Sequence, residues 1–418
     1  MKFLALALAM LAVPLAGMWC RERPSVRYLL LAILGFLPFT GEAVAMNLIV
    51  DEHYHGDSIG LEVTLFDLVA GVLLVAQFGS RSKSPYALAR WSYVGWAMLS
   101  LLGAALPMYG LFSVWKLLRM FLALRVVSTE VRRPRAGPAL LRGFMLGVVY
   151  VTLTALDQRY LQGILRCRGA LPHSNTLGMA VNLMAPIALA LLLVRQGGVL
   201  AALAVACAAV CDILSQSRVC LLMFALAGVV VFCGSLARQF QGRKLAVLLS
   251  FVAAGTVAGL YSADAIIERV ERAPKESAEA RVHFNEAAKL MVGDHPVFGI
   301  GINQYSHVLA TDGYADAVGV LEVDRHGVAH QIYWLTIAEL GIPGLLIFLW
   351  VLGGPLWRAA RSAWTIRDVR GDILLGIAAG LGVSYLQGLT EWVFRQTEVG
   401  YLFFSLAGLA ASLSVRRR

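Results

Sequence analysis

The sequence predicts an all-α, polytopic membrane protein with about 12–13 transmembrane helices and one large periplasmic loop. Three observations lead there. Of 418 residues, 59% are hydrophobic and only 15% are charged, against about a quarter charged in an ordinary soluble chain. The mean hydropathy is +0.71. Apolar runs close to the bilayer-crossing length of about 20 residues recur along the chain, and short basic clusters fall between them in alternation. The net charge of +10 is thereby assigned to topology, and no folded basic domain remains to bind nucleic acid.

The first run, 2–19, resembles a secretory signal. However, the bulky Met18 and Trp19 stand where a cleavage site has small residues, and cleavage would place Arg21 to Arg27 outside. It reads as an uncleaved first span. The further spans are 28–49, 61–79, 91–110, 111–127, 139–156, 174–194, 199–214, 219–236, 245–262, 330–353, 373–390 and 399–414, with kinks expected at Pro38, Pro107 and Pro186. The fifth carries Lys116, Arg119 and Arg125 at near-helical spacing and reads as tilted or interfacial. Cys20, Cys207, Cys211, Cys220 and Cys233 lie in or beside apolar runs and read as small buried hydrophobes. Cys167, in an external loop, has no partner for a disulfide.

Loops holding Arg21/Arg23/Arg27, Arg81/Lys83/Arg90, Arg132/Arg133/Arg135, Arg195, Arg238/Arg243/Lys244, Arg358/Arg361/Arg367/Arg370 and Arg416 to Arg418 are cytoplasmic by the positive-inside rule. The intervening loops, 51–60, 157–172, 215–218, 263–329 and 391–398, face the other side, which is the periplasm in a two-membrane envelope. The chain divides into N-terminal spans 1–170, spans 171–262 carrying the motif Ser215 to Arg218, the large loop 263–329, and C-terminal spans 330–418.

The residues able to do chemistry lie on that outer side. Arg218 ends a tight turn, where an arginine anchors to headgroups or binds an anion. In the large loop, 263–291 holds good helix formers, including Glu268 and Arg272 four apart, with Arg281 on the same helix. Gly293-Asp294-His295-Pro296 is a turn, and Gly299-Ile300-Gly301 signals close backbone approach. His330 stands at the mouth of a span, where an imidazole can take a proton beside a lipid-borne substrate or simply bond a backbone carbonyl. His173 and Asn175 open another external helix. No pair of these has metal-ligand spacing, and no cofactor is expected.

Ser215-Gln216-Ser217-Arg218, then Arg281 and His295-Pro296-Val297-Phe298-Gly299-Ile300-Gly301, then His330 and Glu339-Leu340-Gly341-Ile342-Pro343-Gly344, together resemble the O-antigen ligase and O-antigen polymerase family over about 170–357. The resemblance implies a GT-C-like membrane glycosyltransferase of the bacterial inner membrane, metal-independent and inverting, with its active site facing the periplasm. It would move a glycan from undecaprenyl diphosphate to an acceptor hydroxyl in O-antigen or exopolysaccharide synthesis. On this reading Arg218 and Arg281 hold the diphosphate, since guanidinium groups bind phosphate oxygens bidentately. His330 is the base, and Ser217, Asn175, Asn303 and Gly301 contact substrate. A repeat-unit polymerase with a lipid-linked acceptor, working with a chain-length regulator, is slightly favoured over a ligase with lipid A core or a protein as acceptor.

Two other classes stay open. Glu42, Glu62, Asp67 and Asp212 within or beside spans could line a transporter's ion path, although no internal repeat of the transporter kind is visible. A non-catalytic envelope scaffold is the second.

Overall fold

A computed structural model describes residues 2–41, 45–80, 84–261 and 275–415, and over them the chain is a helical bundle with one two-stranded hairpin. Glu42, Arg81, Lys83, the Glu268/Arg272 pair and Arg416 to Arg418 lie outside the described residues.

The N-terminal part holds α1 (Lys2–Cys20), α2 (Pro24–Phe36), α3 (Leu65–Ala76), α4 (Ala87–Ser100), α5 (Pro107–Glu130) and α6 (Ala136–Tyr160). The spans expected at 28–49 and 61–79 are both shorter than that. A 3-10 turn at Leu37–Phe39 ends α2, because Pro38 has no N–H to extend the ladder. Strands β1 (Ala45–Val50) and β2 (Gly60–Thr64) then pair antiparallel, with Asn47 opposite Glu62. The Thr64 side chain accepts from Asp67 N–H while Asp67 accepts from Thr64 N–H, a reciprocal cap that starts α3. The run 91–110 also breaks: Leu106 leaves the helical region (φ −127°, ψ 75°), the α conformation being disfavoured before proline, and Pro107 begins α5.

Helix α5 is not interfacial, as its charges suggested. It lies inside the bundle against α16 (Thr397–Leu413), with Lys116 and Arg119 paired internally. Arg119 meets Glu62 at 2.8 Å and Asp67 at 3.0 Å, and Lys116 donates to the Asp57 carbonyl at 2.9 Å.

The central helix is α7 (Ser174–Leu193), 94% of whose apolar window is buried. It packs on α8 (Gly198–Ser215), α9 (Arg218–Arg238) and α15 (Val369–Gln387). After α10 (Gly242–Tyr261), the large loop supplies α11 (Lys275–Asp294), α12 (Tyr305–Thr311) and α13 (Tyr314–Val318). Six helices among the described residues, α6, α7, α8, α9, α14 (Ile332–Thr365) and α15, are long and apolar enough to cross a membrane by length and composition. Shorter apolar helices accompany them, and large apolar side chains such as Leu102, Val199 and Trp357 point outward. The chain is a multi-pass, all-α membrane protein. Cys233, expected inside, lies on the outer surface of α9, whereas Cys20, Cys167, Cys211 and Cys220 are buried.

Helix α14 (Ile332–Thr365) breaks at Gly341, with φ 68° and ψ −177°, a conformation essentially reserved for glycine. A break inside a bundle frees carbonyls that need donors. Here Ile300 N–H donates to Ala338 O at 3.0 Å, Gly301 N–H to Glu339 O at 2.9 Å, and Trp96 Nε1 to Leu340 O at 2.8 Å. On the other side of the break, Ile342 N–H donates to Pro296 O at 2.8 Å. The Pro296–Gly301 segment therefore lies edge to edge along the break, and the close approach expected of Gly299-Ile300-Gly301 has Glu339 and Leu340 as its partner.

Candidate active site

The site is built at one end of the bundle around Glu391. Three turns converge there. His173 precedes the first residue of α7, and its Nδ1 accepts from Asn175 N–H at 3.1 Å. Partial burial and the Arg166 guanidinium hold the His173 imidazole below its ordinary range, which keeps the accepting, neutral ring. Past the end of α15, Glu391 N–H donates to Gln387 O at 3.0 Å, and Gly388 O accepts from Ile332 N–H at 3.0 Å. That second bond draws the lead-in to α14, with His330, against the Glu391 turn.

The Glu391 side chain is only 5% exposed and faces three partners. Its Oε1 accepts from Asn175 Nδ2 at 2.7 Å and from Arg281 Nη2 at 3.2 Å. Its Oε2 lies 3.7 Å from His330 Nδ1, within ion-pair reach and just beyond a hydrogen bond. Asn175 is held from its other side, where Oδ1 accepts from Arg166 Nη2 at 2.7 Å. Arg281 is 36% exposed and His330 is 31% exposed, so both reach solvent from a buried carboxylate. The ring of Phe284 stacks beside His330 with centroids 6.4 Å apart.

Arg218 joins this end through its helix. Ser217 caps α9 by accepting from Cys220 N–H at 3.5 Å. Cys220 O accepts from Asn182 Nδ2 at 2.9 Å, and Cys220 Sγ takes a bond from Gln387 Nε2 at 3.1 Å. The first turn of α9 is thus fixed to α7 and to the end of α15. The Arg218 side chain is exposed and makes no hydrogen bond or ion pair within the described residues.

Two other expected contacts are placed elsewhere. Asn303, 1% exposed and in the left-handed region at φ 61°, has its whole amide committed to the backbone. Its Oδ1 accepts from Asp57 N–H at 2.8 Å, and its Nδ2 donates to Ser58 O and Tyr109 O at 2.8 and 2.9 Å. Gly301, at φ 99°, fits against Ala104, where a Cβ would come within 2.7 Å. Both residues staple neighbouring loops together and, among the described residues, do not meet the Glu391 cluster through any bond.

A second buried network lies beside the first. Arg395 bridges Glu339 and Asp57 (3.2 Å to Asp57), and Lys116 lies 3.9 Å from Asp57. Burial pushes the Asp57 carboxyl up, but the Arg395 and Lys116 cations outweigh burial and hold it below the usual carboxylate range. A cavity of about 40 Å³ between these groups, Phe348 and Phe403 has room for a water or two, not a sugar.

Glu391 and Arg166 escaped the sequence reading. The signal for Glu391 was its position on an outer loop: exposed cations gathered on one face require a carboxylate to orient them. No group of three or more His, Cys, Asp or Glu side chains among the described residues is arranged to hold a metal ion.

Residues 183–349 match the family model described as O-antigen ligase. The matched stretch includes Ser217, Arg218, Arg281, Gly301, Asn303 and His330, and stops short of Asn175 and Glu391 on either side. No curated protein matches the chain.

Proposed function

We propose that this chain, a member of the O-antigen ligase and polymerase family through its O-antigen ligase domain at residues 183–349, transfers a glycan from undecaprenyl diphosphate to an acceptor hydroxyl at the periplasmic face of the bacterial inner membrane. A role in surface polysaccharide synthesis follows from the family. The observation carrying the finer reading is that one buried carboxylate, Glu391, bonds Arg281 and faces His330.

In the proposed reaction the sugar C1–O bond to the diphosphate breaks as the acceptor oxygen bonds C1, and the hydroxyl proton passes to His330. Glu391 faces Nδ1, so it favours the tautomer with a proton there and leaves Nε2 to accept. It also stabilises the imidazolium that forms. Arg281 and Arg218 neutralise the departing diphosphate, a contribution of roughly 10²- to 10³-fold per donor. Attack opposite the leaving group inverts C1. Asn175, bonded to Glu391, fixes the carboxylate in place. The acceptor is a second lipid-linked repeat unit in a polymerase, and lipid A core or a protein in a ligase. A deletion strain separates these readings: single repeat units accumulate if a polymerase is lost, unattached long chains if a ligase is lost.

The test is transfer by purified His330→Gln protein in lipid with undecaprenyl-diphosphate-linked glycan. Glutamine can hold an acceptor but cannot take its proton, so transfer should be lost and donor should persist. Substantial transfer by His330→Gln would leave the histidine only an orienting role.

A further inference from the structure

The opposite end of the bundle holds arginines that the proposed transfer does not use. Among the described residues of the whole bundle, four arginines have 8% exposure or less: Arg27, Arg90, Arg119 and Arg395. Three meet carboxylates, Arg27 with Glu130, Arg119 with Glu62, and Arg395 with Asp57 and Glu339. Arg90, 3% exposed, has no carboxylate among the described residues. Its Nη2 donates to Ser84 Oγ at 2.6 Å, its Nε has no hydrogen-bond partner, and its guanidinium lies 5.0 Å from the Phe121 ring centroid.

Phe121 belongs to α5, and one turn beyond it on the same helix stands Arg125, whose Nη1 donates to Thr129 Oγ1 and whose charge bears on Arg90. Helix α14 adds a third guanidinium. Tyr86 packs on Gly354, where a Cβ would come within 3.1 Å of its ring, and Arg358 lies 5.9 Å from the centroid of that ring. Arg358 thus sits on the Tyr86 ring, one helical turn before Arg90 on α4. Arg125 and Arg358 are partly exposed above a buried floor. A buried guanidinium without an anion is costly, and the Arg125 cation adds to that cost, so the arrangement calls for an anionic acceptor of N–H groups.

We propose that Arg90, Arg125 and Arg358 bind a phosphate group, either that of an anionic phospholipid headgroup or a free phosphate. Guanidinium groups match phosphate oxygens in pairs, and basic pockets between helices at a cytoplasmic membrane surface have the chemistry to hold anionic headgroups. The Arg90 and Arg358 loops are both cytoplasmic by charge alternation, where such headgroups lie. The site is separate from the Glu391 cluster and does not depend on the transfer reaction.

Native mass spectrometry of the purified full-length protein, released from phosphatidylcholine nanodiscs containing phosphatidylglycerol, tests the proposal. A parallel arm replaces phosphatidylglycerol with inorganic phosphate. Wild type should retain phosphatidylglycerol or phosphate, and whichever is retained identifies the source. Retention should fall roughly fivefold for each arginine removed in Arg90→Gln and Arg358→Gln. Should Arg90→Gln fail to fold through loss of its Phe121 contact, Arg125→Gln combined with Arg358→Gln gives the same reading from partly exposed positions. Retention equal to wild type in the variants, or none of either ligand by wild type, would overturn the proposal. So would a thermal midpoint that falls equally in neutral and anionic lipid without loss of bound phosphate.

Discussion

Glu391 is one carboxylate with three neighbours, and each substitution there separates their roles. Glu391→Gln keeps an oxygen to accept from Asn175 but removes the negative charge facing Arg281 and His330. We expect kcat to fall by roughly 10²-fold, the scale of a weakened general base, with KM for the lipid-linked donor unchanged or lower because Arg281 is released to the diphosphate. Steady-state kinetics in nanodiscs measures both, and an unchanged kcat with a raised KM would make Glu391 only a wall of the donor pocket. His330 and Arg281 drew attention in the sequence because each sits beside a recognisable boundary, a span mouth for one and a helix-forming run for the other, and the structure brings both to Glu391. Asn303 was named from the family resemblance alone, and nothing in the sequence marks the left-handed backbone at φ 61° or the bonds that commit its amide to Asp57, Ser58 and Tyr109.

At the scale of elements, length and charge spacing located the helices well, because a crossing helix needs an apolar run of fixed length. The hairpin at 45–64 was not legible. Its strands are short apolar runs continuous with neighbouring helical ones, which periodicity cannot divide. The break in α14 was marked only by two glycines and a proline. Its sensitivity is specific: a Cβ at Gly341 would sit 2.0 Å from Val297 O, on a backbone that side chains avoid. Gly341→Ala should therefore destabilise the protein by about 3 kcal/mol or prevent folding. Gly353→Ala, in the same helix with nothing within 4 Å of the added methyl, should be neutral or slightly stabilising. Thermal unfolding in detergent compares the two, and equal midpoints would mean the break adapts.

Across the whole molecule, contacts between loops join loops expected on the same side. Arg27 meets Glu130, and Arg238 meets Asp372, at the end expected to be cytoplasmic. Asn175, Arg281, His330 and Glu391 meet at the other. Reporter fusions after Asp294 and after Asp368 should accordingly report opposite sides, with Asp294 outside; a cytoplasmic signal at Asp294 would remove the basis for a periplasmic site. The seam along the α14 break also has a consequence for how the protein is made. Gly341 lies nine residues into its helix, about 13 Å below the helix start, and the Pro296–Gly301 segment reaches that depth only by bonding to it. On the ribosome that segment emerges some forty residues before its partner, with backbone donors that nothing in a bilayer can satisfy. We therefore expect that segment to be seated late, after synthesis has passed the break and α14 offers its carbonyls.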